Sequence, residues 1–277
     1  MTSNFFKKLS CSFPVFFFDQ FGVLHDGSRP YPGAVDALKA LKAQGARVVI
    51  LSNSGKSGQA NAKRMEALGF ARDLYDHFLT SGDVAKAALL GGELPIALGP
   101  ATRCMTLSSS PENDLSDALG LASTQDGAEA DLLIISGSQA DRIPLSEYER
   151  LIAPAARRSA PCVCTNPDRL MLTSGGTHPG AGAIGALYED LGGAVTWIGK
   201  PYPGIYASAA RLVGSPAPHD VLCIGDSVEH DIVGARRFGA AAALVRTGIL
   251  ANLSEVELAT EFAKHGVVPD VVLGGLA

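Results

Sequence analysis

Polar residues stand directly after apolar runs at four places in the chain, and their types suit phosphoryl transfer. Asp19 follows VFFF, Ser52 and Asn53 follow VVIL, Lys200 follows WIG, and Asp226 follows VLCIG. A carboxylate such as Asp19 can attack phosphorus, and Ser52 with the following amides can hold phosphate oxygens. Lys200 can neutralise charge on nucleophile and phosphate, and Asp226 can hold Mg²⁺, which prefers oxygen ligands. Together these residues indicate a phosphoryl-transfer site.

Each of these residues also has an ordinary structural explanation when it is taken singly. An Asp or Ser after a strand often forms a turn, and Lys200 can be a solvated surface charge. Asp231, five residues after Asp226, can be a helix N-cap. Residue type alone leaves these explanations open, so the order of the motifs and the elements around them must decide.

Strand-like and helix-like segments alternate along the chain and would position these residues. Val15–Phe18 and Arg47–Leu51 are apolar, strand-like runs, and Ala34–Gln44 between them has its apolar residues on one helical face. The alternation returns with the strand-like runs Val221–Ile224 and Ala241–Val245. This pattern predicts a doubly wound, parallel α/β sheet, and ligands of such sheets bind beyond the carboxyl ends of the strands.

The middle of the chain has a rhythm of its own and predicts an inserted domain. We expect residues 1–82 and 193–277 to form one discontinuous core domain, with Val195–Ile198 as a strand of its sheet. Residues 83–192 would form the inserted α/β domain. The elements expected in the insert are Leu132–Ser136, Leu145–Arg157, Cys162–Thr165 and Ala183–Leu191.

Four segments resemble, in this order, the signature motifs of the haloacid-dehalogenase (HAD) superfamily: FFFDQFGVLHDG, VVILSNSG, WIGKPYPGIY and VLCIGDSVEHDIVGARRFG. The likeness is closest to the NagD-like subclass IIA, which YPGAVDALKALKAQG, TNPD and GGTHPGAGAIGALYEDLGG also resemble. Only 33 positions separate Asp19 from Ser52, whereas 148 separate Ser52 from Lys200, which leaves room for a cap after the second motif. The resemblance implies a Rossmann-like core, a cap, and a Mg²⁺-dependent phosphatase of a small phosphorylated metabolite such as a sugar phosphate.

The resemblance also gives each matching residue a role. Asp19 would form an aspartyl-phosphate and bind Mg²⁺, while Lys200 would orient Asp19 and screen charge. Ser52 and Asn53 would bind the phosphoryl group. The remaining residues would hold the metal (Asp226 and Asp231) or bind the substrate from the cap (Asp168, His178 and the loop of residues 175–182).

One position departs from the pattern of the superfamily's phosphatases. Their D-x-D-G motif is D-Q-F-G here, so Phe21 stands where the second Asp would protonate the leaving group. Losing a general acid–base costs about 10²–10⁴ in rate. The backbone carbonyl of Phe21 could still bind the metal. His25 is the nearest titratable replacement, with a turn cap as its alternative role, and His178 is a second candidate.

Three functional interpretations stay open at this point. The first is a phosphatase in which another group or water transfers the proton, or whose leaving group, as in an acyl phosphate, needs no acid. The second is a dehalogenase, because haloacid dehalogenases carry an aromatic residue at this position, although they have a different cap and no magnesium. The third is a module that binds or senses a phosphorylated ligand with little turnover.

The composition bounds the class of protein. The chain has 277 residues, 47% of them apolar and 18% charged, and a net charge of −5, which indicates a globular protein and argues against nucleic-acid binding. Five cysteines, an odd number, favour a reducing compartment. The apolar run of residues 13–18 is too short for a signal peptide or a membrane span, so we expect a cytoplasmic protein without membrane contact. Its resemblance to the subclass also implies a homodimer.

Overall fold

A computed structural model describes residues 12–99, 101–110, 114–173 and 176–277. The chain divides into two compact units: the first comprises residues 1–52, 58–79 and 200–277, and the second comprises residues 53–57 and 80–199. Among the residues that the structure describes, no helix has the length and apolar character needed to cross a lipid bilayer. Four cysteines are free, buried thiols, and Cys11 lies outside the described residues.

The strands and helices are numbered along the chain. The strands are β1 (Val15–Asp19), β2 (Arg47–Ser52), β3 (His77–Thr80), β4 (Arg103–Leu107), β5 (Ala122–Ser123), β6 (Leu132–Ile135), β7 (Cys162–Cys164), β8 (Leu170–Thr173), β9 (Gly176–Pro179), β10 (Val195–Trp197), β11 (Val221–Gly225), β12 (Ala241–Val245) and β13 (Val271–Leu273). The α-helices are α1 (Ala34–Ala43), α2 (Gly58–Ala67), α3 (Ser81–Leu90), α4 (Asp114–Ala118), α5 (Leu145–Arg157), α6 (Ala181–Asp190), α7 (Pro203–Leu212), α8 (Val233–Phe238) and α9 (Glu255–His265).

The first unit is built on a six-stranded sheet in the order β13-β12-β11-β1-β2-β3. From β13 to β2 every neighbouring pair is parallel. The chain moves from β1 to β2 and β3 on one side and later fills the other side with β11 to β13. The strand order therefore reverses between β1 and β11, and open α/β sheets bind their ligands at such a point. This sheet confirms the predicted fold class.

Apolar residues of the central strands form the core of the first unit. Phe16, Phe18 and Ile50 are fully buried and join one cluster with Leu38 and Leu41 of α1. The strands are nearly continuous apolar runs because helices cover both faces of a parallel sheet, so successive side chains on either face leave water. This burial fixes the register of the strands. The positions of the polar residues at the strand ends depend on that register.

The second unit has a five-stranded sheet in the order β10-β7-β6-β4-β5, with all neighbours parallel, and a separate antiparallel hairpin of β8 and β9. The prediction that Val195–Ile198 belongs to the core sheet is wrong. β10 pairs with β7, with Val195 opposite Cys162. α6 connects the two strands as the crossover that a parallel pair requires. A strand-like pattern predicts a strand but not its sheet, so the predicted boundary at residue 193 falls before the observed one at residue 200.

Candidate active site

Neighbouring parallel strands bring two of the predicted carboxylates together in the first unit. Asp19 is the last residue of β1, and Asp226 directly follows β11. Phe18 pairs with Ile224 in this parallel pair, so both carboxylates lie just beyond the same end of the two strands. Asp19, Asp226 and Asp231 each place one carboxylate oxygen within 4.8 Å of the others. Residues 19 and 231, far apart in the chain, therefore belong to one acidic cluster.

A π-helical turn directs Asp231 into this cluster. The turn spans Val228–Ile232. Such turns are rare in proteins, and those that occur are often found at functional sites. The backbone N–H of Ser227 donates to Asp231 Oδ2 at 3.1 Å. The buried hydroxyl of Tyr206 donates to the carbonyl oxygen of His230 at 3.3 Å. These contacts hold the carboxylate of Asp231 towards the end of β11.

Three glycines leave the space that the carboxylates occupy. A Cβ atom on Gly22 would lie 2.2 Å from Asp226 Oδ2, and one on Gly248 would lie 1.8 Å from the same oxygen. A Cβ atom on Gly225 would lie 2.1 Å from the Cβ of Asp231. Any side chain at these positions would displace a carboxylate, so the backbone itself forms part of the wall of the site.

Lys200 connects two members of the acidic cluster. Its Nζ donates to Asp19 Oδ1 at 2.6 Å and to Asp231 Oδ1 at 2.7 Å, and its side chain is 5% exposed. Burial alone would lower the pKa of Lys200, but the charges of Asp19 and Asp231 outweigh it and raise that pKa above its usual value. The lysine therefore stays protonated and holds Asp19 in place with a charge-assisted hydrogen bond.

The cluster carries more negative than positive charge. Burial, followed by the charges of Asp19 and Asp231, raises the pKa of Asp226 well above its usual value, although Asp226 accepts a hydrogen bond from the Ile249 N–H at 2.7 Å. Three carboxylates and one ammonium group leave an excess that a divalent cation would neutralise. The donors are all oxygen atoms, as Mg²⁺ prefers, so these residues fit a magnesium ion.

Ser52, the last residue of β2, has a neighbour that the sequence analysis missed. Ser52 is buried, and its Oγ accepts a hydrogen bond from Gln20 Nε2 at 2.7 Å. The same nitrogen donates to Asn61 Oδ1 at 3.4 Å. In the sequence, Gln20 is marked only by its position next to Asp19. That position does not predict that its amide donates a hydrogen bond to Ser52.

Comparisons with known proteins identify the family. The family model described as haloacid dehalogenase-like hydrolase matches residues 16–120, and a HAD-hydrolase-like model matches residues 197–273. The chain is 31% identical to the sugar-phosphatase AraL of Bacillus subtilis (strain 168) over 238 residues, which are 82% of this chain and 80% of that one. The chain belongs to the haloacid dehalogenase-like hydrolases.

Solved structures extend the likeness over almost the whole chain. The p-nitrophenyl phosphatase from Archaeoglobus fulgidus superimposes with a TM-score of 0.75 at 28% identity and covers 96% of this chain and 97% of that one. A glycerol phosphate phosphatase from Mycobacterium tuberculosis in complex with magnesium gives a TM-score of 0.68 at 25% identity, over 90% of this chain and 71% of that one. The sequence motifs and these relatives assign this HAD hydrolase to the NagD-like subclass IIA.

Phe21, two residues after Asp19, is 42% exposed. The ring meets the imidazole of His25 edge to face, with 5.9 Å between centroids. Its backbone carbonyl belongs to the peptide that leads into Gly22, next to Asp226. The side chain thus offers no proton, while the carbonyl lies on the peptide beside the acidic cluster.

His25 does not fit the role of proton donor, and we correct that assignment. Its side chain is buried and packs against Phe21 and Phe70, and its Nδ1 accepts a hydrogen bond from the Gly27 N–H at 3.0 Å. Its Nε2 is buried and has no hydrogen-bond partner among the described residues. Burial, followed by the charge of Arg64, lowers the pKa of His25 to about 4. The residue is therefore a neutral turn cap at physiological pH, the alternative that the sequence also allowed.

Two of the predicted binding residues contact each other within the second unit. The side-chain amide of Asn53, which is buried, donates to Asp168 Oδ1 at 2.8 Å. The N–H of Asp168 donates in turn to Asn166 Oδ1 at 3.1 Å. His178 is a half-buried residue of β9, opposite Met171 in the hairpin. The side-chain amide of Asn53 thus supports the TNPD loop, and the predicted substrate loop is described only from residue 176 onward.

Proposed function

We propose that this hydrolase is a Mg²⁺-dependent phosphatase that acts on a small phosphorylated metabolite through an aspartyl-phosphate on Asp19. The observation that carries the proposal is the ammonium group of Lys200 within 2.7 Å of both Asp19 and Asp231, beside a third carboxylate, Asp226. The family adds support, because the relative AraL is a sugar-phosphatase. A sugar phosphate is accordingly among the substrates to test.

Magnesium would be held by oxygen atoms of the acidic cluster. Asp19, Asp226 and Asp231 would supply carboxylates, and Phe21 would supply its backbone carbonyl. When bound, the cation would neutralise charge on the phosphate and on the cluster. The relative from Mycobacterium tuberculosis that was solved with magnesium supports this choice of ion.

In the first step, the carboxylate of Asp19 attacks phosphorus, and the bond from phosphorus to the leaving-group oxygen breaks. This forms an aspartyl-phosphate and frees the leaving group. Lys200 holds Asp19 for the attack and balances charge, while Ser52 donates a hydrogen bond to a phosphate oxygen. In the second step, water attacks the same phosphorus, which restores the Asp19 carboxylate and releases inorganic phosphate.

Phe21 narrows the range of good substrates. Without an acid at this position, a poor leaving group departs as an unstable anion, and without a base the water of the second step is not activated. Acyl phosphates and aryl phosphates leave readily without protonation. We therefore expect them to react faster than alkyl phosphates, and we expect the aspartyl-phosphate to be long-lived.

We assign the selection of the substrate to the second unit, as the insertion of a cap after the second motif suggests. Asp168 and His178 of that unit would supply substrate contacts. Ser52 and Lys200 of the first unit would bind the phosphoryl group common to all substrates. In this division, changes in the second unit alter which substrate is used, whereas changes in the first unit alter the rate for every substrate.

The decisive experiment compares phosphate release from acetyl phosphate, p-nitrophenyl phosphate and a sugar phosphate, with Mg²⁺ and with EDTA. We expect release that requires Mg²⁺ and decreases in that order, with none from Asp19→Asn. If no substrate is turned over while phosphorylated ligands still raise the melting temperature, the protein is a phospho-ligand binding module instead. Turnover that is unchanged in EDTA would refute the metal site.

A further inference from the structure

The amide of Gln20 forms a small hydrogen-bonded network behind the proposed phosphate site. Gln20 stands between Asp19 and Phe21, and its half-buried side chain donates from Nε2 to Ser52 Oγ at 2.7 Å and to Asn61 Oδ1 at 3.4 Å. Asn61 is a buried residue of α2. The amide nitrogen has two hydrogens, and the network offers them two acceptors.

This network determines which way the hydroxyl of Ser52 can act. A serine hydroxyl has one hydrogen to donate and two lone pairs that accept. Because Gln20 Nε2 donates to Ser52 Oγ, one lone pair is used and the hydrogen cannot point at that nitrogen. Ser52 is thereby set as a donor in another direction. A phosphate oxygen, which only accepts, needs such a donor.

Asn61 fixes the orientation of the Gln20 amide. The two ends of a glutamine amide have nearly the same shape, but only the nitrogen can donate. An acceptor at Asn61 Oδ1 favours the orientation with nitrogen towards both partners. If the amide were reversed, the oxygen of Gln20 would face Asn61 Oδ1, and Ser52 would be drawn to donate to Gln20 rather than to phosphate.

We propose that Gln20 is a positioning residue, which holds the Ser52 hydroxyl ready to donate to the phosphoryl group. The proposal rests on the function assigned to Ser52 above. Gln20 acts only through Ser52 and touches neither phosphorus nor the leaving group. Its amide therefore matters only while the serine hydroxyl is present, and this dependence can be measured.

The test is a double-mutant cycle of Gln20→Met and Ser52→Ala. Methionine keeps the length of the side chain but removes the amide. We expect Gln20→Met to lower kcat/KM for acetyl phosphate about tenfold in the wild-type background, but less than twofold in the Ser52→Ala background. Gln20→Glu should lose about 100-fold, because its carboxylate accepts the serine hydrogen and repels phosphate. An equal loss from Gln20→Met in both backgrounds would overturn the proposal.

A matched control and a second readout separate positioning from folding and from the proposed function. Gln139 Nε2 donates to the carbonyl of Ser108 at 2.9 Å in the second unit, so Gln139→Met removes a glutamine hydrogen bond elsewhere and should leave kcat/KM within twofold. Binding of inorganic phosphate with Mg²⁺, measured by calorimetry, should follow the same cycle whether or not the wild type turns over any substrate. If the wild type turns over substrate and Gln20→Met has no effect, only the role of Gln20 is rejected. If the wild type shows no turnover but Gln20→Met weakens phosphate binding, only the phosphatase function is rejected.

Discussion

The two parallel sheets of this protein end in very different side chains. Strands of the first sheet lead into Asp19, Ser52 and Asp226, whereas strands of the second lead into Ser136 and Thr165. In the second unit these residues serve local structure: Ser136 Oγ donates to the carbonyl of Leu107 at 3.2 Å, and the carbonyl of Thr165 accepts from the hydroxyl of Ser81. The first sheet gathers charge at its edge, and the second sheet gathers neutral hydroxyls.

A parallel sheet alone does not make an active site, because the side chains at the ends of its strands supply the reactive groups. Neighbouring strands are parallel from β13 to β2 in the first sheet and throughout the second, so each sheet aligns the carboxyl ends of these strands. Among the described residues, the cluster of three carboxylates close enough to share a metal lies at the edge of the first sheet. The fold alone therefore does not locate the reaction, and the charged residues at the strand ends do.

The largest expected effect comes from Asp19, the proposed nucleophile. Asp19→Asn should lower kcat for acetyl phosphate by at least about 10⁴-fold, because the neutral amide cannot form the aspartyl-phosphate. Ser108→Ala, at the residue after β4 of the second sheet, is the matched control and should stay within about threefold of wild type. Equal losses in both variants would break the contrast between the sheets.

The next effect is a gain. Phe21→Asp places a carboxyl group two residues after Asp19 and should raise kcat/KM for a sugar phosphate about 10²-fold or more, with a smaller gain for acetyl phosphate, whose leaving group needs no acid. Steady-state kinetics on both substrates check this, and circular dichroism checks the fold. A correctly folded variant without any gain would mean that the site has been rebuilt for other chemistry.

Replacing the buried lysine, Lys200, tests by its effect on stability how strongly the charged cluster is shielded from water. Lys200→Met leaves the carboxylates of Asp19 and Asp231 without their cation and should lower the free energy of unfolding in urea by about 3 kcal/mol without metal. Lys42 is the matched control, since its Nζ lies 2.8 Å from Asp76 Oδ2 but its side chain is 26% exposed. Lys42→Met should cost about 1 kcal/mol or less.

The outcome that would contradict this prediction is an equal cost at both lysines. In that case the charges at the sheet edge would be no more isolated from water than those of an ordinary half-exposed ion pair. Adding Asp231→Asn to Lys200→Met should recover part of the stability, because it removes one of the two carboxylates that lost their partner.

The last prediction concerns a titratable group that is close to Asp19 in sequence but outside the charged cluster. The pKa of His25 is about 4 in the fold, below the ordinary 6.5, so the unfolded chain binds a proton first as pH falls. Stability from the neutral ring is present above pH 6.5 and is lost towards pH 4, by up to about 3 kcal/mol. His25→Asn keeps an acceptor for Gly27 and should show a shallower loss of stability over this range. Parallel urea titrations that do not diverge would contradict it.

The motifs allowed much of this molecule to be predicted. Apolar runs predicted β1, β2, β11 and β12, because a strand covered on both faces must be apolar throughout. The residues after these runs predicted the acidic cluster, because the ends of parallel strands meet at one edge. The sheet to which β10 belongs was not predictable, since its pattern fits either sheet and only its pairing with β7 decides.

Residue types and their order were enough to predict the family and the parallel α/β architecture, because motifs and apolar patterns carry that information directly. Tertiary structure alone decided that His25 is buried and neutral, that Asn53 meets Asp168, and that Gln20 faces Ser52. These contacts could not be predicted because the partner of a side chain depends on the direction in which the backbone points it. That direction is set by packing between segments distant in the chain.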